Sequence, residues 1–199
     1  MDILKTNTFT VESSKSDALY MLSNMLSKEL KNILTCNQNH EYSKELVILC
    51  IGTDRSTGDC LGPLVGDKLT KLRVNKKVGV YGTLKNPVHA KNLEEKTQII
   101  YNEYSSPIIL AVDASLGKNE NIGKINLYNG PIYPGSGVNK KLNPIGDLSI
   151  TGIVNMGGFM EYVILQNTRL SLVMEMADII TNAIYISISR IFSLKSNAN

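Results

Sequence analysis

The chemistry open to this chain is narrowed first by what it lacks. Its 199 residues include two histidines, His40 and His89, and three cysteines, Cys36, Cys50 and Cys60. No two cysteines are spaced C-x-x-C, which excludes a zinc ribbon or a thioredoxin-type motif. Free thiols in a reducing compartment are the simplest reading, and two histidines argue against a histidine-rich zinc or iron centre. Acid–base chemistry must therefore rest mainly on carboxylates. Asp54 and Asp59 lie in Gly52-Thr53-Asp54-Arg55-Ser56-Thr57-Gly58-Asp59-Cys60-Leu61-Gly62-Pro63, and Asp113 opens Asp113-Ala114-Ser115-Leu116-Gly117. Two carboxyls held close together cannot both ionise easily. One pKa rises and the other falls, leaving an acid and a base at neutral pH. Such a pair can activate a water against an amide carbonyl.

Each candidate also has a structural reading. Asp59 suits the N-cap of a following helix, Asp54 suits a tight turn, and a strand-end Asp113 can simply bind loop amides. Cys60 beside a helix start would have a lowered pKa, with His89 as its candidate base, but nothing in the sequence places the two together. Ser136 in Pro134-Gly135-Ser136-Gly137 fails the G-x-S-x-G elbow because residue 134 is not glycine. The loop from Gly52 lacks the Gly-Lys-Ser/Thr of a phosphate-binding loop. Lys140-Lys141 reads as solvated loop charge.

The elements that must position these groups are legible from apolar spacing. Leu19, Leu22, Leu26, Leu30 and Ile33 form one stripe of a helix starting near Ser16, ended by the polar stretch Thr35 to Lys44. Leu46 to Gly52 reads as a fully buried strand, followed by a helix from Leu61 or Pro63 to about Arg73. Val78 to Thr83 is a second strand. Asn86-Pro87 opens a helix running to about Tyr104, and residues 107–112 make a third buried strand ending at Asp113. This βαβαβ order implies a parallel sheet covered on both faces. Functional groups of such sheets collect beyond the carboxyl ends of the strands, and right-handed crossovers bring the Asp59 and Asp113 loops to one edge. Gly123 to Asn129 is expected as an edge strand, Gly130 to Asp147 as a loop and Leu148 to Asn155 as a further strand. Leu170, Val173, Met174, Ala177, Ile180 and Ile184 share one face of a C-terminal helix. Glu175 and Asp178 interrupt it, so it reads as a docking helix, either on its own sheet or on a second subunit of a homo-oligomer.

Composition sets the frame. Hydrophobic residues are 43% and charged residues 20%, the balance of a globular domain. A net charge of +3 does not suggest a nucleic-acid partner. No stretch approaches the roughly 18 uncharged apolar residues of a membrane span, and the N-terminus, with Asp2 and Glu12, lacks the pattern of a secretory signal. A soluble intracellular protein is expected, with residues 1–15 polar and mobile and residues 16–199 a single α/β domain.

Longer motifs carry a resemblance. The run Ile51 to Pro63, Tyr81-Gly82-Thr83-Leu84-Lys85-Asn86-Pro87-Val88-His89-Ala90, Gly157-Gly158-Phe159-Met160-Glu161-Tyr162 and Gln166-Asn167-Thr168-Arg169-Leu170 resemble the YyaC-type sporulation proteins of endospore-forming bacteria. The match covers nearly everything after about Leu46. More distantly, Gly58-Asp59-Cys60-Leu61-Gly62-Pro63, Ala111-Val112-Asp113-Ala114 and Pro134-Gly135-Ser136-Gly137-Val138-Asn139-Lys140 are similar to segments of the spore germination protease. That protease is an atypical aspartic-type endopeptidase, and its proposed catalytic pair falls on Asp59 and Asp113. Both groups look like relatives of the hydrogenase maturation endopeptidases. This resemblance implies a three-layer α/β/α sandwich with a mostly parallel sheet, of the phosphorylase/hydrolase-like kind. In those enzymes two carboxylates and a later histidine bind nickel. Asp59 and Asp113 match the carboxylates, but Asp147-Leu148-Ser149-Ile150-Thr151-Gly152 offers no histidine, so a nickel-guided mechanism is not implied.

The expectation is a sporulation-associated endopeptidase with Asp59 and Asp113 as catalytic residues and no cofactor or metal. Gly58, Gly62, Gly135, Ser136, Gly137 and Lys140 would contact a protein or peptide substrate, such as a spore protein, in the cytoplasm of the sporulating cell or the forespore. Asp54 and His89 are secondary candidates. No nucleic-acid or membrane partner is expected. Two rival readings keep the fold: a non-catalytic binding or assembly protein, and a metal-dependent hydrolase using Asp54, Asp59, Asp113 and His89 around a hard divalent ion.

Overall fold

The computed structural model describes residues 8–34, 45–72, 74–75, 77–134 and 143–193. Six strands, β1 (Phe9–Glu12), β2 (Leu46–Cys50), β3 (Val78–Tyr81), β4 (Ile108–Gly117), β5 (Lys124–Asn129) and β6 (Leu148–Met156), form one sheet in the order β1-β5-β6-β4-β2-β3. Strands β3, β2, β4 and β6 run parallel, while β5 pairs antiparallel with β6 and β1 antiparallel with β5. Among the described residues there are five α-helices: α1 (Ala18–Leu34), α2 (Leu61–Lys71), α3 (Leu93–Glu103), α4 (Glu161–Gln166) and α5 (Leu170–Ser193).

The period-2 geometry of strands sorts the core into two layers. On β2, Leu46, Ile48 and Cys50 join the larger cluster with α1, α2 and α5, while Val47 and Leu49, with Ile51 just beyond the strand, join the smaller one with Leu93 and Ile100 of α3. All five β2 residues are buried, as a central strand covered on both faces requires. Helices thus lie on both sides of a mostly parallel sheet, the expected α/β/α sandwich. On β4, Ile109, Ala111 and Asp113 share the α3 side, and Tyr128 of β5 packs with the same layer.

Helix α5 is long and apolar enough, by length and composition, to cross a membrane. Its apolar stripe is nevertheless spent inside the protein: Val173, Met176, Ala177, Ile180, Ala183 and Ile184 are fully buried against α1, α2 and β6. A short polar seam fixes the α1–α5 register. Ser27 Oγ donates to Ser187 Oγ at 3.1 Å, Ser187 Oγ to the Ser23 carbonyl at 3.1 Å, and Arg190 to Asn24 Oδ1 at 2.8 Å. The docking reading of this helix therefore fits, although Leu170 is exposed rather than part of the buried face.

Four expectations are corrected. The segment 9–12, expected to be mobile, forms β1. Its Val11 is buried and its Thr10 donates to Asn126 Oδ1 at 2.8 Å, but four residues are too short for alternation to stand out. Consequently β5 is not an edge strand. Helix α3 starts at Leu93, not at Asn86-Pro87, because residues 84–92 form turns tied down by Asn92: its Oδ1 accepts the His89 N–H at 2.8 Å, and its Nδ2 donates to the Pro87 carbonyl at 3.0 Å. Strand β4 continues to Gly117 because β6 keeps pairing with it after β2 has ended. Helix α4, a single short turn pair, was read only as part of a motif.

Candidate active site

The site is built where β2 stops. Ile51 is still clamped on both sides: its N–H donates to the Val112 carbonyl at 2.7 Å, and it bridges in parallel to Val88. Gly52 donates to the Val88 carbonyl at 2.8 Å and turns the chain at φ +138°, a value that side chains rarely adopt. Thr53 N–H then donates to the Asp59 carbonyl at 3.1 Å, closing the loop on itself. A 3₁₀ turn, Gly58–Cys60, delivers the chain into α2. Pro63 falls in the first turn of α2, where its missing N–H costs nothing.

Asp59 is set in this turn, beside the N-terminus of α2. The N-cap position belongs to Cys60, and no side chain caps the helix, so the Asp59 carboxyl is not spent on capping. Asp113 lies one residue beyond the last β2–β4 pair, Cys50 with Val112, while its own backbone still pairs with Thr151 of β6. It is therefore inside a strand rather than at its tip.

The two carboxyls sense each other. Asp113 is pushed well above the ordinary carboxyl value, first by burial and then by the negative charge of Asp59, against a hydrogen bond from the Ala114 N–H. That bond is 2.8 Å long. Asp59 is also raised by burial, but the Thr53 N–H and the positive field of His89 pull it back down. Burial raises both carboxyls, but the charge of Asp59 raises Asp113 further while Thr53 and His89 draw Asp59 down, so Asp113 is the more readily protonated of the two.

His89 belongs to this cluster. It follows Val88, which is paired to Ile51 and Gly52, and its backbone is fixed by Asn92. Its Nδ1 is buried with no hydrogen-bond partner. The pairing of His89 with Cys60 that the sequence left open does not form the suggested nucleophile. Burial raises the Cys60 thiol, the charges of Asp59 and Asp54 raise it further, and its Sγ donates to the Thr57 carbonyl at 2.9 Å. The lowered thiol pKa expected from the helix start is therefore overturned. Burial raises the Cys50 thiol as well.

Asp54 stays exposed on the outer turn. Among the described residues no group of three or more His, Cys, Asp and Glu side chains is arranged to hold a metal ion. The donors present therefore do not fit the nickel arrangement that the hydrogenase maturation endopeptidases would imply. Gly58 and Gly62 have a packing reason to be glycine instead of the expected close approach of substrate. A Cβ at Gly62 would overlap the main chain of Ile51, and one at Gly58 would press on Leu165 and Thr168. Gly135, Ser136, Gly137 and Lys140 lie outside the described residues. One neighbour was missed from sequence: Tyr128, whose phenol is raised by burial and by the charge of Asp113. The strand alternation of β5 could have put it on the Asp113 face.

Residues 10–183 match the family described as "Protein of unknown function (DUF1256)". The chain belongs to that family. It is 48% identical over 158 residues, 79% of its length, to a protein from Bacillus subtilis (strain 168), the "Uncharacterized protein YyaC", and covers 77% of that relative. The resemblance to YyaC-type proteins is thereby borne out. The DUF1256 chain also superposes on the crystal structure of a [NiFe] hydrogenase maturation protease, HycI, from Thermococcus kodakarensis KOD1. The TM-score is 0.52 at 17% identity, over 80% of this chain and 99% of that one. At that identity the likeness establishes a shared fold.

Proposed function

We propose that this protein is an endopeptidase of the sporulating cell in which Asp59 and Asp113 share one proton and activate a water. The observation that carries the reading is the split of the pair, with Asp113 raised by burial and by Asp59 while Asp59 is drawn back by Thr53 and His89. Ionised Asp59 takes a proton from water as the water oxygen attacks the peptide carbonyl carbon. Protonated Asp113 gives its proton to the carbonyl oxygen, forming a neutral gem-diol. Collapse breaks the C–N bond: the Asp113 carboxylate takes a proton back from a gem-diol hydroxyl while the proton held by Asp59 passes to the leaving nitrogen. The products are a carboxylic acid and an amine, with the pair returned to one proton. The protease-type fold, the YyaC relative and the germination-protease-like segments around Asp59 and Asp113 support this reading.

The test is cleavage read by mass spectrometry. Wild type, Asp59→Asn and Asp113→Asn are incubated with an extract of sporulating cells between about pH 5 and pH 8, to read the pH profile of an acid–base pair. Discrete products from wild type, reduced by about 10²-fold or more in both variants, are expected. Activity should fall toward low pH as Asp59 gains a proton and toward high pH as Asp113 loses its own. Products that persist unchanged in both variants, or no product at any pH, would sink the proposal and favour a non-catalytic assembly protein on the same fold.

A further inference from the structure

Large apolar side chains exposed to water are concentrated in one short stretch. Between β6 and α5, Met156 is 50% exposed, Phe159 91%, Met160 58%, Tyr162 63% and Val163 40%. Scattered exposed apolar residues are ordinary, but a contiguous group marks a surface that meets something. The backbone here is also unusual. Met160 has φ +61°, the one non-glycine residue with positive φ among those described, and it immediately precedes α4. Left-handed backbone at a methionine carries a cost, and no buried side chain of α4 is stabilised by it, since α4 has no fully buried residue.

The inner side of the same helix touches the proposed catalytic turn. Leu165 of α4 and Thr168 just beyond it lie against Gly58, the residue before Asp59. Asn155, at the end of β6, ties this junction by donating to the Ile164 carbonyl at 3.2 Å and to Thr168 Oγ1 at 3.2 Å. One short element therefore rests on the Asp59 turn with one side and shows Phe159, Met160, Tyr162 and Val163 to solvent with the other.

We propose that this surface is the platform on which apolar side chains of an extended polypeptide substrate dock, on the outer side of the element that rests against the Asp59 turn. The proposal rests on the peptidase reading and names its substrate class: an unfolded or extended segment rich in large apolar residues. A second copy of the chain fits less well. Five side chains at these exposures offer on the order of 500 Å², short of the roughly 800 Å² per partner in a stable interface. A lipid surface fits less well too, since the stretch from Met156 to Thr168 carries Glu161 and no Lys or Arg, whereas membrane-binding helices ring their apolar face with basic residues.

The experiment uses the full chain carrying Asp59→Asn, so that binding is read without cleavage. Two fluorescein-labelled peptides of Gly, Ser and Thr serve as probes, one bearing several Leu and Phe residues and the other Ala in their places. Fluorescence anisotropy should show binding of the Leu/Phe peptide only. Adding Phe159→Ser and Tyr162→Ser should weaken it about tenfold, as for truncated aromatic anchors. Tyr20→Ser with Tyr101→Ser, at aromatics exposed 66% and 55% elsewhere, should leave it unchanged. No binding of the Leu/Phe peptide, equal loss in the control pair, no loss in the platform pair, or a dimer that the platform pair dissolves in sedimentation velocity would each overturn the proposal. The anisotropy result does not depend on whether Asp59 and Asp113 cleave anything, so failure of the peptidase reading in the extract assay is distinguishable from failure of the platform.

Discussion

Two glycine-bearing turns leave the carboxyl ends of parallel strands in this protein, and they are built in opposite ways. The first, from Gly52 onward, follows β2 and runs into the first turns of α2, as far as Gly66. The directions in which a side chain would grow from Gly52, Gly62 and Gly66 are filled by the main chain of Asp59, Ile51 and Gly82 respectively. The second, from Gly157 to Met160, follows β6 and leads into α4. Gly158 has nothing within 4 Å of where its Cβ would stand, and Phe159 beside it is almost wholly in water. The same residue type in the same topological position therefore does two jobs. In the first turn it lets backbone press on backbone, so that a half-buried carboxyl is held in one place. In the second it lets the chain reverse while leaving large apolar groups outside.

The largest effect should come from filling the tight turn. Intrinsic helix propensity favours alanine over glycine by roughly 1 kcal/mol, and on that ground Gly62→Ala would stabilise α2. The overlap with Ile51 runs the other way. Ile51 cannot retreat, because its N–H is bonded to Val112 at 2.7 Å and its neighbour Gly52 to Val88 at 2.8 Å. We expect a net loss of about 3 kcal/mol or more in urea unfolding. Gly158→Ala meets no atoms and bears only the backbone penalty of φ +151°, about 1 kcal/mol. Equal losses at the two positions would erase the distinction between the turns.

A smaller effect of opposite sign is expected at Asp113. Its folded pKa lies well above its ordinary value of 3.8. A carboxyl shifted upward favours folding only while it holds its proton. Its contribution is intact below the ordinary value and is lost as pH rises toward the raised one. Asp113→Asn removes the ionisation, while its amide oxygen can still accept the Ala114 N–H. The variant should therefore be no more stable than wild type near pH 4 and increasingly more stable above it, by on the order of 1 kcal/mol at neutral pH. Thermal melts across pH check this. A variant that is less stable at pH 8 than at pH 4, relative to wild type, would mean that Asp113 is paired and charged in the folded state.

What the sequence revealed follows the same physical division. Buried strands of five or more residues, and helices with an apolar stripe several turns long, were legible because burial writes a period into the chain. That was enough to bring Asp59 and Asp113 to one edge. Three things left no such trace. Strand β1 has only Phe9 and Val11 to alternate. The extension of β4 through Asp113 depends on β6, a strand thirty residues and more away in the chain, so Asp113 reads as a tip although it lies within a ladder. His89 reaches the site because Val88 bridges Ile51, a tertiary contact that no local pattern encodes. The glycines at 58 and 62 were visible as residue types, but whether the space beside them belongs to substrate or to the protein is a property of packing alone.

The smallest stability effect should lie in the open turn, and its smallness is informative. At 91% exposure Phe159 has almost no apolar area removed from water, so Phe159→Ser forfeits little of the roughly 25 cal/mol per Å² that burial supplies. The expected change in unfolding free energy is within about 0.5 kcal/mol, with the urea slope unchanged because the area exposed on unfolding hardly alters. A loss above about 1 kcal/mol would show that Phe159 packs against the protein in solution, closing the very surface on which a substrate would have to rest. A neutral result, combined with weakened binding of an apolar peptide, would separate the two turns cleanly: the side chains of the first turn would matter to folding, and those of the second only to what the protein meets.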